Sequence, residues 1–184
     1  MLTGQKIGLR ARHESDVPVL HAELYEDVAT RSRSGSRPWV PIASGSAASP
    51  YAVTDPSDAV AHFSVLELAS GELAGECVLW GIDAHNRMAH LGMTMRPSFR
   101  GRGLGADVVR VLCDYAFAVR GLQRVQLETL TDNAAMSRAA LAAGFTQEGV
   151  LRRAAWVNGA FADEVIFGLL ADEWRSGQIP LIKS

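Results

Sequence analysis

The chain is poor in three things that would fix its character early. Cysteine occurs twice, as Cys77 and Cys113, too far apart for a metal or redox motif, so the reading is two reduced core thiols rather than a disulfide framework. Lysine occurs only at positions 6 and 183 and the formal net charge is −2, so no broad basic field draws the chain to nucleic acid or to an anionic membrane surface. No apolar run reaches the roughly 18 residues of a membrane span, and the opening MLTGQKIGLRARHE has no signal-like apolar core. The five histidines are scattered, with no close pair on one helix face, so no metal centre is expected. These absences together point to a cytoplasmic protein.

What is present is 184 residues, 48% of them hydrophobic, enough for one domain with a sizeable core. Alternation predicts a first strand over 6–12, followed by a helix capped by Ser15 or Asp16 with Pro18 in its first turn. Residues 31–58 are rich in Ser, Gly and Pro yet carry Trp39, Val40, Ile42 and Tyr51, and a short helix is expected around 57–62. Strands 63–69 and 73–83 form a hairpin, a third strand runs over 88–96, and Pro97 stops it. A helix over 104–120 ends at Gly121, a strand covers 124–130, and a helix after Asn133 stops at Gly144. Two last strands flank the Asn158-Gly159 turn. The order predicts a mixed, mostly antiparallel α/β sheet with one central parallel pair, 88–96 beside 124–130, because a helix separates those two strands.

Between that strand and helix lies RGRGLGA, residues 100–106. Bare backbone at a helix N-terminus offers free N–H groups and a partial positive charge, which together suit an anion. The stretch also satisfies G-x-G-x-x-A, the dinucleotide fingerprint. That fold needs a parallel strand feeding the turn and several strand-helix units after it, whereas here the turn follows a hairpin series and only one further unit comes after. A phosphate loop of the Walker type is excluded because no Gly-Lys-Ser/Thr follows.

The residues resemble a known family. Arg100, Gly103 and Gly105 meet the motif Gln/Arg-x-x-Gly-x-Gly/Ala of the GNAT superfamily of acyl-CoA-dependent N-acyltransferases. Asn133, Gly144-Phe145 and Glu148-Gly149 meet a second motif, and Arg152, Gly159, Asp163 and Glu173-Trp174 follow in the order of the ribosomal-protein N-terminal acetyltransferases, the RimJ/RimL-like branch. The resemblance covers nearly the whole chain and is weakest over 31–58. It implies the GNAT fold, with helices on both faces of the sheet and the central parallel strands splayed, and acetyl-CoA or another short acyl-CoA as co-substrate, without a metal. The anion at the glycine turn is then the cofactor's pyrophosphate, held by the N–H groups of Gly101, Arg102, Gly103, Leu104, Gly105 and Ala106, with the Arg102 charge at the rim.

The same resemblance implies that Thr94, Met95 and Arg96 offer main-chain partners to the pantetheine and one N–H to the carbonyl oxygen. It implies that Asn133 binds the pantetheine amide, a role beside that of plain helix cap. Glu128 matches the general base of some ribosomal-type members, and taking a proton from an ammonium group suits a carboxylate relay. Glu76 is the second candidate, and His90 points into the same sheet. The family's usual general acid is missing. Its Tyr position is Ala140 and the branch's Ser position is Met136, which leaves solvent or Ser137, about 100° further round the helix. The implied partner is an amine, a small molecule or a protein N-terminus, with 31–58 as a lid over the acceptor site; a homodimer stays open. Two other readings stay open as well, a non-catalytic acyl-CoA-binding module and an enzyme that inactivates amine antibiotics.

Overall fold

The computed structural model of the chain describes residues 1–34 and 37–177, so two positions of the 31–58 stretch lie outside it. One eight-stranded sheet runs in the order β1-β2-β3-β4-β5-β6-β8-β7. Its strands are β1 (Leu2–Thr3), β2 (Ile7–Arg10), β3 (Val60–Glu67), β4 (Leu73–Asp83), β5 (Met88–Met95), β6 (Arg124–Leu130), β7 (Thr146–Val157) and β8 (Ala160–Leu170). Every neighbouring pair is antiparallel except β5 and β6. The helices are α1 (Val17–Leu20), α2 (Val28–Ser34), α3 (Leu104–Asp114), α4 (Ala134–Ala142) and α5 (Ala171–Gly177). Among the described residues no helix is long and apolar enough to cross a membrane.

The mostly antiparallel sheet and its one parallel pair are as the sequence predicts, and three local expectations are corrected. No helix forms around 57–62; Val60 instead opens β3, where Ala61 and Phe63 alternate onto the core and Val60 and His62 face the other way. The predicted helix after residue 15 is broken into a 3₁₀ turn (Glu14–Asp16), α1 and a π turn (His21–Tyr25), and α2 begins just before the stretch read as irregular. Asp16 makes no N-cap bond to α1. Its carboxylate turns back to take the His13 N–H at 2.9 Å, the Ser64 hydroxyl at 2.7 Å and a two-pronged Arg10 guanidinium at 2.6 and 2.8 Å.

The main core lies between α3 and the sheet. Leu104, Val108, Val111 and Leu112 bury one stripe of α3 against Ala89 and Leu91 of β5 and Val125 and Leu127 of β6. A smaller core on the other side joins Leu20, Leu24, Tyr25 and Tyr51, with Ile42 packed on it. Two hydrogen bonds fasten the 31–58 stretch there: Tyr25 Oη donates to the Val40 carbonyl at 2.8 Å, and Trp39 Nε1 to the Tyr25 carbonyl at 3.1 Å. The glycine turn is anchored from a distance. Asp107, in the first turn of α3, accepts the N–H groups of Lys6 (2.7 Å) and Ile7 (3.2 Å) and is ion-paired to Arg110. Gly4 is required for that approach, since a Cβ there would lie 2.6 Å from an Asp107 oxygen.

Asp16 gives the fold a readable pH dependence. Burial alone would raise its pKa, but the hydrogen bonds from Arg10, His13 and Ser64 and the Arg10 charge outweigh it and hold the group at about 2. A carboxylate with a lowered folded-state pKa stabilises the fold above its unfolded pKa and loses that contribution as pH falls. We expect wild-type stability to drop by about 2 kcal/mol more than that of Asp16→Asn, mostly between roughly pH 4 and pH 2. Urea midpoints at a series of pH values measure the difference; parallel curves for the two proteins would contradict it.

Candidate active site

The parallel pair is short. β5 and β6 are in register only at Met88↔Arg124, Ala89↔Val125 and His90↔Gln126, while each stays paired along its length to its outer neighbour, β4 or β8. Beyond His90 and Gln126 the two strands part, and a cavity opens on either face of the sheet.

One cavity, about 890 Å³, lies on the α3 side. It is lined by Gly101, Gly103, Leu104, Gly105 and Ala106 of the glycine turn, by Met93 and Met95 of β5, and by an Ala135-Ala139-Ala142 stripe of α4. Gly101 and Gly103 both have φ of 74°, a left-handed conformation that L side chains disfavour. Gly105 answers a different need: a Cβ there would sit 2.9 Å from Met93 Cε. The turn therefore presents the N-terminal N–H groups of α3 without side chains in front of them, a fit for a phosphate group. Arg33 and Arg138 also line this cavity. Sequence reasoning missed both, although small residues at i, i+4 and i+7 around Arg138 mark a groove-facing helix stripe.

The other cavity, about 370 Å³, lies on the opposite face and gathers carboxylates. Glu76, Glu128 and Glu164 line it, with Tyr51, His62 and Trp80 and the arginines of α2, Arg31 and Arg33. The two cavities meet at Met93, Thr94, Leu130, Asn133 and Met136, which line both. Of the 31–58 stretch, Arg31 to Ser34, Pro50 and Tyr51 reach this wall; Trp39 and Ile42 pack on the small core instead.

Main-chain parity sorts the β5 residues. The Arg96 N–H donates to the Ala74 carbonyl at 2.9 Å and the Arg96 carbonyl accepts from Phe99, so both groups are taken and the expectation that Arg96 serves the wedge is corrected. In an antiparallel ladder hydrogen-bonded pairs recur every second residue, so Thr94 also turns its main chain to β4, opposite Glu76. Met93 and Met95 turn theirs toward β6. The Met95 carbonyl accepts from Arg100 Nε at 3.0 Å, which leaves the Met95 N–H facing the gap. The Arg102 guanidinium turns away to Glu67, 3.2 Å off, and over the Phe99 ring.

Asn133 caps α4: its Oδ1 accepts from Met136 N at 3.2 Å and its Nδ2 donates to Thr129 Oγ1 at 2.9 Å. Ser137 is corrected outright. Its hydroxyl donates to the Asn133 carbonyl one turn back at 3.2 Å, and it lines neither cavity. The step of about 100° round the helix that separates it from Met136 carries it off the site.

The carboxylates are held differently. Glu76 is part-buried, and desolvation raises its pKa, while Arg12 at 3.3 Å and a Thr94 hydrogen bond oppose the rise. Arg12 is itself only 3% exposed along its side chain, reaches the Pro50 carbonyl and lies over the Tyr51 ring. Glu128 accepts from Gln126 Nε2 at 2.6 Å and lies 3.3 Å from His90 Nδ1, whose ring stacks on Trp80. Glu164, two positions along β8 from the partner of Glu128, has its pKa raised by burial and by the Glu128 charge.

The sequence model of the acetyltransferase (GNAT) domain family matches residues 6–146. Among curated proteins the chain is 34% identical over 108 residues to the "Putative ribosomal N-acetyltransferase YdaF" of Bacillus subtilis, a match covering 59% of each chain. It is 27% identical over 101 residues to the ribosomal-protein-serine acetyltransferase of Escherichia coli, covering 55% of this chain and 56% of that one. The matched region thus spans little more than half the length of these relatives. Among solved structures, the spermidine N-acetyltransferase of Vibrio cholerae in complex with CoA and spermine superposes with a TM-score of 0.82 at 22% identity, over 92% of this chain and 98% of that one. That likeness is one of fold.

The Arg12–Glu76 pair yields a direct test. Removing the guanidinium in Arg12→Met takes away a force that lowers the Glu76 pKa, so the protonated carboxyl should persist to higher pH than in the wild type. Carbon-13 NMR of glutamate-labelled protein follows it, with Glu76→Gln to assign the signal; an unmoved titration would show that Arg12 does not govern Glu76.

Proposed function

The chain belongs to the GNAT acetyltransferase family, and from that premise we propose that it transfers an acetyl group from acetyl-CoA to a primary amine, of a small molecule or a protein N-terminus, by direct attack in a ternary complex. One observation carries the reading: two cavities on opposite faces of the sheet meet where β5 and β6 part, one floored by bare helix N–H groups and the other walled by carboxylates. An acyl donor and an amine acceptor need that arrangement, since each must reach the same point from its own side. The reading places the chain in the cytoplasm, in keeping with two buried, unbridged thiols.

The glycine turn would hold the pyrophosphate, with Arg33 and Arg138 beside it, and the α4 stripe and Asn133 would border the pantetheine. Bound there, acetyl-CoA supplies the activated thioester acetyl group. The Met95 N–H faces the gap and is the donor available to a carbonyl oxygen gaining negative charge, an interaction that typically lowers a barrier by about 3 kcal/mol. Glu128 takes the amine's proton, and its contacts with Gln126 and His90 fix the carboxylate in place. With Ser137 turned away, no side-chain acid is assigned to the departing thiolate; a thiol of pKa ~8.5 leaves with solvent alone. Pro50 and Tyr51 wall the acceptor side, so the 31–58 stretch borders the amine without covering it with its Trp39.

Release of free CoA thiol from acetyl-CoA with a panel of amines tests the activity, and calorimetry with CoA alone separates it from a binding module that does not turn over. Gly103→Asp adds a negative charge to the turn, with its Cβ 3.4 Å from Lys6 Nζ, while Asp tolerates the left-handed conformation. CoA affinity should fall at least 100-fold with the far-ultraviolet spectrum unchanged; full affinity in the folded variant would remove the glycine turn from the cofactor site.

Glu128→Gln should lower kcat roughly 100-fold near neutral pH and remove the acidic limb of the pH–rate profile, with acetyl-CoA affinity unchanged. A variant that keeps most of its rate would transfer the base role to Glu76 or to water.

A further inference from the structure

Charge in the acceptor cavity is divided, with one sign on each wall. On the sheet wall Glu76 has its own counter-ion, Arg12. Among the described residues Glu128 and Glu164 have none of full charge: the first has Gln126 and His90, and the second is part-buried and meets the repulsion of the first. Two neighbouring carboxylates in this state favour an ammonium group between them.

The α2 wall has the opposite sign. Arg33 is held by Asp132 at 2.6 Å. Arg31 is not held in this way: among the described residues no carboxylate lies within ion-pair distance of it, and its guanidinium rests over the Tyr25 ring, 5.7 Å from the centroid. It lines the carboxylate cavity and not the glycine-turn cavity, so a phosphate of the cofactor is not its natural partner. Its charge is felt across the cavity, at Glu76 and at Tyr51. A partly buried guanidinium with five donors and no acceptor is a carboxylate receptor by geometry as well as charge.

We propose that the acceptor is an amine that carries its own carboxylate, with the ammonium group between Glu128 and Glu164 and the carboxylate on Arg31. The proposal rests on the transferase reading above and narrows its substrate class. A polycation is disfavoured, because its second positive charge would meet Arg31 rather than a further acid. The carboxylate has two sources, the α-carboxylate of a free amino acid or an acidic side chain next to a peptide N-terminus.

Initial rates with acetyl-CoA and two acceptor sets separate these sources: alanine against alaninamide, and N-terminal alanyl peptide amides with aspartate, asparagine or lysine at the second position. The acidic member of at least one set should exceed its neutral partner tenfold or more in kcat/KM, mainly through KM. Arg31→Gln should erase the difference by lowering kcat/KM for the acidic acceptor, with acetyl-CoA affinity unchanged. Arg31→Glu should turn the preference toward the lysine peptide. Turnover that favours alaninamide, the lysine peptide or spermidine in the wild type, or an acidic preference that survives Arg31→Gln, overturns the acceptor class and leaves the transferase standing. Absence of turnover with every amine overturns both.

Discussion

Main-chain N–H and C=O groups inside a protein need partners, and between β5 and β6 that need is left open past His90 and Gln126. Each strand is committed for its length to an outer neighbour, so the sheet is two half-sheets joined by a three-pair seam. Everything proposed for the site follows from where the seam ends. Met93 and Met95 on one lip, and Glu128 and Leu130 on the other, face a gap that an extended, hydrogen-bonding ligand fills better than water does. The glycine turn sits at the end of β5 because Pro97 stops the strand and α3 must begin within a few residues.

Electrostatics then gives the two faces different tasks. The α3 face offers helix N–H groups and arginines, a setting that suits anions, whereas the opposite face gathers carboxylates at the end of the same gap. Glu76 lies closer to a structural role than its neighbours do, because Arg12 also reaches the Pro50 carbonyl and so ties β4 to the loop beside the carboxylate cavity.

Features set by neighbours in the chain were legible in the sequence: the glycine turn, the Asn133 cap, the hairpins, and through element order the parallel pair. The parity of β5 was not, since which of Thr94, Met95 and Arg96 faces the gap depends on the register with β4, and an irregularity between Trp80 and Asp83 shifts that register from what the short turn alone would set. Ser137 illustrates the same limit on a helix: one residue's step rotates a hydroxyl from the gap to a carbonyl of its own helix. Arg31 and Glu164 lie more than a hundred residues apart in a chain whose fold alone brings them to one cavity, and neither stands in a motif.

The open lip of β5 also divides that strand against itself. Its even-numbered amides donate to β4, while those of Met93 and Met95 point into a gap. Neighbouring amides on one strand therefore differ in how readily they trade hydrogen with solvent, in a two-residue rhythm that stops at His90, where the seam closes. Whatever occupies the gap silences that rhythm, so an extended ligand reports its arrival in the backbone of the strand it lies beside, with no helix or loop required to move.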